Sequence, residues 1–270
     1  MDIASILVST LAAGHSSLDE FVGKSILTAC GIPTVEEVQV TTGDEAVTAA
    51  TALTFPVVLK GMGRKLLHKS EQGLVHLGLA SEAAVKAAAK AVQAAAGEDL
   101  EGFLVQKQII GRRELLAGMT RDPQFGPLIL FGVGGVLTEA IDDTVLGVAP
   151  LTRPDAHDII GRMRARKLLD AFRGEAAVDR EALADILLAL SQLAMDHPNL
   201  AEIDLNPLIV TPQGQPVAVD ALITLASPSA APPSRQPVSP QAVGALFHPR
   251  SIAFVGASAT FGKWGHMLPH

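Results

Sequence analysis

Short hydrophobic runs rich in β-branched residues alternate along the chain with longer stretches rich in Ala and Leu. The short runs predict β-strands at 35–42, 56–61, 73–79, 103–109, 113–122 and 127–133. The Ala- and Leu-rich stretches predict helices at 18–29, 81–97 and 179–196. Alternation of this kind predicts a mixed fold, either α/β or α+β.

Residue types that start and stop helices support these boundaries, because polar caps satisfy free backbone N–H groups and glycine accepts the turn that ends a helix. They are Ser81 and Asp179 as N-caps, Gly97 as a stop, and Gly31 followed by Pro33 as a second stop. Beyond the last helix, 202–210 and 216–225 predict a hairpin around the Thr-Pro-Gln-Gly turn at 211–214.

One break in composition divides the chain. Residues 226–241 contain five of its 17 prolines, and such a segment predicts a semi-rigid linker that does not pack into a core. It separates a body at 1–225 from a C-terminal piece at 242–270.

Composition and charge exclude several classes of protein. The chain is 48% hydrophobic but only 4% aromatic, and its net charge is −7, which argues against disorder and against nucleic-acid binding. Its single cysteine, Cys30, cannot form an internal disulfide. The N-terminus lacks a basic region, and no run approaches about 20 apolar residues, so we expect no membrane span and a cytoplasmic enzyme.

Three glycine-containing segments follow predicted strands. In 60–65, Lys60 precedes Gly61 and Gly63 in a basic turn that would suit a polyphosphate, or is an ordinary solvated turn. In 132–139, Gly134 and Gly135 allow a close approach to a ligand, but the third glycine of a dinucleotide fingerprint is missing. The third segment, 249–258, resembles the first strand and turn of a Rossmann unit.

Oxygen-bearing side chains cluster in the predicted hairpin. Glu202, Asp204 and Asn206 share one face of a strand, and Asp220 lies across from them on the next. This set suits Mg²⁺ or is simply a solvated sheet face. His68, on a polar loop, is either solvated or a nucleophile.

In this order, the segments resemble a known family. GIPTVEEVQV, FPVVLKGMGRKLLHKSEQGLV, 102–143, VLGVAPL and AEIDLNPLIV with AVDA cover about residues 15–226. They look like the ATP-grasp (β) part of the ADP-forming acyl-CoA synthetases, the family of acetate–CoA ligase (ADP-forming), related to succinyl-CoA synthetase. LFHPRSIAFVGASATFGKWG is similar to the start of that family's CoA-binding domain. The resemblance implies an ATP-grasp fold with two lobes, at about 15–110 and 111–225, a linker, and an incomplete Rossmann-type CoA-binding segment at 242–270.

The resemblance also implies roles for individual residues in handling ATP/ADP and Mg²⁺. His68 would relay the phosphoryl group, although Glu71 stands where the family commonly has Asp. Asp204 would face the phosphohistidine or the metal. Contacts to the nucleotide are implied for Lys60, Gly61 and Gly63, for Gln106, Lys107 and Ile109 at the adenine, for Glu114 near the ribose, and for Gly134 and Gly135 at the phosphates. The implied Mg²⁺ ligands are Asn206 and Asp220.

The implied reaction converts acid, CoA and ATP into acyl-CoA, ADP and phosphate through an acyl phosphate and phosphohistidines. Acid and CoA would be bound by CoA-binding and ligase domains, in a longer chain of which this is a truncated part or in a separate α-type subunit. We therefore expect the chain to bind Mg²⁺–ATP without forming acyl-CoA alone.

Three alternatives stay open. A regulatory nucleotide-sensing module would resemble the inactive synthetase-like region of some protein acetyltransferases, but the presence of His68, Asn206 and Asp220 argues against it. Another ATP-grasp carboxylate ligase would form an amide, against which the CoA-type C-terminal segment argues. The third is a non-enzymatic structural module.

Overall fold

The protein is described by a computed structural model that covers residues 1–63, 66, 72–135, 143–171, 173–226 and 239–251. The chain divides into two units, Met1–Ser229 and Ala230–His270. The helices are α1 (Ile3–Ala12), α2 (Glu20–Ala29), α3 (Gly43–Leu53), α4 (Glu82–Ala96), α5 (Arg153–Arg162), α6 (Arg180–Asp196) and α7 (Pro240–Phe247). The strands are β1 (Glu37–Val40), β2 (Val57–Met62), β3 (Val75–Leu79), β4 (Gly102–Lys107), β5 (Arg113–Asp122), β6 (Gly126–Val133), β7 (Thr144–Val148), β8 (Leu200–Val210), β9 (Pro216–Ala218) and β10 (Leu222–Leu225).

A four-stranded antiparallel sheet has the order β1-β4-β2-β3. Alternate residues of its strands, such as Val57, Leu59 and Val105, are buried in a core with α3 and α4. Because successive side chains of a strand point to opposite faces, Lys60 and Gln106 lie on the face away from these helices. The fold therefore leaves two polar side chains on the sheet face that its own helices do not cover.

A second antiparallel sheet has the order β10-β8-β5-β6-β7, with β9 also paired to β8. Its core includes residues of α5 and α6, and also Leu7 of α1 and Ile26 and Leu27 of α2. The two-lobe division at about residue 110 stays a prediction, but the first two helices pack into the core of the sheet that follows that boundary.

The mixed fold that the sequence predicts is confirmed, and several boundaries agree closely. β5 spans the predicted 113–122. Ser81 and Asp179 cap α4 and α6 through their side chains, and Gly97 follows the last residue of α4. Five of the helices and strands in the described ranges were not predicted: α1, α3, α5, α7 and β7. The single strand predicted at 216–225 was wrong, because β9 and β10 are separate strands and Asp220 lies between them. A sequence signal existed for α3, since Thr42 and Glu45 form a capping box at its N-terminus.

The predicted linker and C-terminal segment lie largely outside the described residues, at 227–238 and 252–270. None of the helices in the described ranges is long and apolar enough to span a membrane.

Gly61 and Gly63 lie where the four-stranded sheet packs against α4 and the short 3₁₀ turn that follows it. A Cβ added at Gly63 would lie 2.1 Å from the backbone oxygen of Asp99, and one at Gly61 would lie 2.8 Å from Cγ1 of Val92. Close packing therefore favours glycine at both positions, whatever binds nearby.

We expect Gly63→Ala to lower the free energy of unfolding by about 1–3 kcal/mol, because the new methyl group would overlap the backbone oxygen of Asp99. Gly161→Ala in α5 is the matched control, because a Cβ there meets nothing within 4 Å, and it should raise stability by about 0.5–1 kcal/mol. Urea unfolding measures both, and a Gly63→Ala variant as stable as the wild type would contradict the packing argument.

Candidate functional site

Lys60 is a buried cation at the centre of the candidate site. Its side chain is only 8% exposed, and its Nζ lies 2.6 Å from Oε1 of Glu20 and 3.5 Å from Oδ2 of Asp220. The same Nζ donates to the backbone oxygen of Val219 at 3.3 Å. Burial alone would lower the pKa of Lys60, but the carboxylates of Glu20 and Asp220 outweigh it and raise that pKa. The amine is therefore charged at neutral pH.

Four side chains beside Lys60 form a closed ring of hydrogen bonds, which we call the carboxylate ring: Glu20, Lys24, Glu37 and Gln106. Nζ of Lys24 lies 2.9 Å from Oε1 of Glu20 and 2.5 Å from Oε2 of Glu37. Nε2 of Gln106 donates to the same two oxygens, at 3.2 Å and 2.7 Å. Each carboxylate thus accepts from both donors, so the ring holds its members in one arrangement.

The ring follows from local geometry in three elements. Glu20 and Lys24 are four residues apart on α2, a spacing that places side chains on the same helix face. Glu37 and Gln106 are directly opposed in the pairing of β1 with β4, which brings cross-strand side chains together. Burial raises the pKa of Glu37, although Lys24 and Gln106 oppose this shift.

On the second sheet, β8 presents the predicted acidic face. Ile203 and Leu205 are buried, while Asp204 lies on the opposite face. Burial raises the pKa of Asp204 to about 6, and the neighbouring charges of Glu202 and Asp220 add to the effect. Negative charge on this face is thus only partly compensated by the protein.

Asn206, Glu114 and the glycines after β6 converge. Gly135 donates its backbone N–H to Oδ1 of Asn206 at 2.8 Å, and Gly134 donates to the backbone oxygen of Glu114 at 2.9 Å. Gly135 has φ +69°, and a Cβ there would collide with the Glu114 carboxylate. The structure thus brings Glu114, Gly134, Gly135 and Asn206 together, as a shared ligand site requires.

A magnesium site at Asn206 and Asp220 fits the chemistry of these donors. The amide oxygen of Asn206 has a second lone pair besides the one that Gly135 uses, and Asp220 has a half-exposed carboxylate. Mg²⁺ commonly takes one or two protein oxygens and completes its shell with water and substrate phosphates. In the described part of the chain, no three His, Cys, Asp or Glu side chains are grouped as a self-sufficient metal site.

The predicted adenine-facing segment has mixed surroundings. Gln106 is buried in the carboxylate ring, whereas Lys107 is exposed and Ile109 half-buried. The backbone N–H of Lys107 donates to the backbone oxygen of Glu36 at 2.9 Å, so the start of the segment is tied to the residue that precedes β1. The contacts of Lys107 and Ile109 with a nucleotide stay predictions.

His68 and Glu71 lie outside the described residues, so the role of His68 stays a prediction. Sequence reasoning missed Glu20, which contacts Lys60, and also Lys24 and Glu37, which complete the carboxylate ring with Gln106. The spacing of Glu20 and Lys24 on the predicted helix at 18–29 was the available signal, since opposite charges four residues apart often pair.

The sequence of this chain is similar to a known family and to several characterised proteins. A family model described as the ATP-grasp domain matches residues 9–225. The chain is 34% identical to the β subunit of acetate–CoA ligase [ADP-forming] I of Pyrococcus furiosus, over 81% of this chain and 96% of that subunit. It is 42% identical to acetate–CoA ligase [ADP-forming] I of Archaeoglobus fulgidus, over 64% of this chain, and spans about a quarter (26%) of that protein's length.

Solved structures agree with this similarity. Acetyl-coenzyme A synthetase 1 of Ca. Korarchaeum cryptofilum, in complex with coenzyme A and Ca-AMPCP, matches with a TM-score of 0.78 and 37% identity over 82% of this chain and 99% of that one. Another structure of the same enzyme, with Mg-AMPPCP, is described as having its phosphohistidine segment pointing towards the nucleotide-binding site. It matches with a TM-score of 0.73 and 37% identity over the same shares of the two chains.

Asp204→Asn tests the acidic face through the pH dependence of stability. A carboxyl whose pKa is higher in the folded than in the unfolded protein binds more protons when folded, so its contribution to stability falls as pH rises from about 4 to about 6. The substitution should therefore stabilise the protein more at pH 7 than at pH 4. We expect a difference of about 1–2 kcal/mol after allowing for solvent screening.

Urea unfolding at both pH values, without divalent cations, measures this difference. Asp158→Asn on the surface of α5 is the control and should shift stability little, since its ion pair with Arg162 is exposed. An Asp204→Asn effect of equal size at both pH values would contradict the raised pKa.

Proposed function

Because this chain belongs to the ATP-grasp family, in the group that contains the β subunits of ADP-forming acetate–CoA ligases, we propose that its body binds Mg²⁺–ATP and exchanges the terminal phosphoryl group with His68. The observation that supports this most is the charged Lys60 amine beside Asp220, since it stands where elements of both sheets meet. A buried cation beside an acidic face suits a ligand of phosphates and a metal.

Lys60 would contact the phosphates by charge-assisted hydrogen bonds, which are stronger than neutral ones. Gly134 and Gly135, where an added Cβ would collide with Leu115 and Glu114, would lie against the phosphates. Asn206 and Asp220 would hold Mg²⁺. The bound cation would offset the repulsion between the negative phosphates and the carboxylate of Asp204. Gln106, Lys107, Ile109 and Glu114 would contact the adenosine part.

The proposed transfer forms a bond between phosphorus and an imidazole nitrogen of His68, and it breaks the bond between the γ-phosphorus and its bridging oxygen. ADP leaves with the electrons of that bond. A neutral imidazole can act as the nucleophile near pH 7. The Korarchaeum enzyme supports this assignment, because it is described as having a phosphohistidine segment that points towards the nucleotide-binding site.

Acyl-CoA formation would need a partner. The Pyrococcus relatives that match over 96% of their length are described as β subunits, while the Archaeoglobus relative is far longer than this chain. We propose that CoA and the acid are bound by CoA-binding and ligase domains, in an α-type subunit or elsewhere in a longer chain. The complete reaction would be ADP-forming acyl-CoA synthesis.

We expect the wild-type protein to take up label from [γ-³²P]ATP and Mg²⁺ in an acid-labile, base-stable form, as a phosphoramidate does. His68→Ala should abolish this label, because the phosphoryl acceptor is gone. His157→Ala, which changes a partly exposed histidine on α5, should retain it.

Filter binding or phosphorimaging after gel electrophoresis reads out the label. Equal labelling of His68→Ala and wild type would refute the relay. A wild-type protein that binds ATP without labelling would favour a nucleotide-sensing module.

A further inference from the structure

Among the described residues, Glu20 has a closer contact with Lys60 than the candidate Mg²⁺ ligand Asp220 has. We propose that Glu20 is a positioning residue that fixes the Lys60 amine for its polyphosphate ligand; the proposal rests on the proposed function of Lys60. Oε1 of Glu20 lies 2.6 Å from Nζ of Lys60, whereas Oδ2 of Asp220 lies at 3.5 Å. The side chain of Glu20 is 7% exposed and that of Asp220 is 49% exposed. Solvent therefore weakens the ion pair of Lys60 with Glu20 less than the one with Asp220.

The carboxylate ring holds Glu20 in place. Its Oε1 accepts from Lys24 at 2.9 Å and from Gln106 at 3.2 Å in addition to Lys60. With three donors on one oxygen, the carboxylate cannot rotate away without breaking several charge-assisted bonds at once. Glu20 is therefore a fixed support for a side chain that is otherwise long and flexible.

The support also joins two parts of the unit. Lys60, Glu37 and Gln106 belong to the four-stranded sheet, whereas Glu20 and Lys24 belong to α2, whose Ile26 and Leu27 are buried in the core of the second sheet. Asp220 lies between β9 and β10, which both pair with β8 of that second sheet. Glu20 thus sets where the Lys60 amine stands relative to the carboxylates and amide of the second sheet.

The negative charge of Glu20 is required as well as its shape. Glu20→Gln keeps the size of the side chain, but an amide would balance neither Lys24 nor Lys60, and two buried ammonium groups would then share less negative charge. The expected consequence is a displaced Lys60 amine and weaker binding of phosphates, without loss of the groups that contact them.

A double-mutant cycle on the dissociation constant for Mg²⁺–ADP, measured by calorimetry, tests the proposal. We expect Glu20→Gln to weaken binding about 5- to 10-fold and Lys60→Met at least tenfold. In the Lys60→Met background, Glu20→Gln should have no further effect, because Glu20 acts through Lys60. Multiplying effects in the double variant would overturn the proposal, and so would an unchanged constant for Glu20→Gln alone.

Two further variants separate positioning from folding. Glu36→Gln is the matched control, since Glu36 is exposed next to the ring residue Glu37, and it should leave the constant unchanged. Glu20→Asp keeps the charge but withdraws the carboxylate by one methylene, so it should fold and still bind Mg²⁺–ADP more weakly. An unweakened Glu20→Asp variant would overturn the proposal even if Glu20→Gln does not fold.

The experiment distinguishes this inference from the proposed function. A wild-type protein that does not bind Mg²⁺–ADP would refute the function itself. A wild-type protein that binds it, with Glu20→Gln and Glu20→Asp binding equally well, would refute only the positioning role.

Discussion

The burial of two lysine ammonium groups, Lys24 and Lys60, is the constraint on which the rest of the structure depends. A buried charge costs several kcal/mol unless it is paired and hydrogen-bonded, and both amines here are at least 90% enclosed. Glu20 and Glu37 must therefore stand beside them. To supply Glu20, α2 has to meet the four-stranded sheet while its apolar face packs into the core of the second sheet. The charged cluster thus ties the two sheets together at one place.

The acidic face of the second sheet carries negative charge that the protein compensates only in part. Asp204, with Glu202 and Asp220 as neighbours, has its pKa raised to about 6, which means that ionising it costs free energy in the protein alone. In the proposed function, a bound divalent cation would remove that cost and would also bind the phosphates. A fixed ammonium group beside an acidic face is the arrangement that the proposed polyphosphate transfer would use. This pairing links the packing of the fold to the proposed chemistry.

The sequence predicts those features of the fold and the site that depend on residues close together in the chain. The bounds of β5, the caps Ser81 and Asp179, and the shared face of Asp204 and Asn206 depend on residues a few positions apart. The carboxylate ring was not predicted because its members come from α2, β1 and β4, and the pairing register that opposes Glu37 to Gln106 is a tertiary property. Gly63 shows a different limit, since close packing against Asp99 favours glycine there whether or not a phosphate binds, and the residue type alone does not separate the two reasons.

Hydrogen–deuterium exchange with and without Mg²⁺–ADP tests most directly whether the cluster around Lys60 is the nucleotide site. The account predicts slower backbone exchange on binding in β2, in α2 and around 219–222, because ligand at Lys60 and Asp220 restrains elements of both sheets together. Protection of β2 and 219–222 without α2 would contradict the coupling through Glu20. Unchanged exchange in all three segments, at saturating Mg²⁺–ADP, would contradict the site itself.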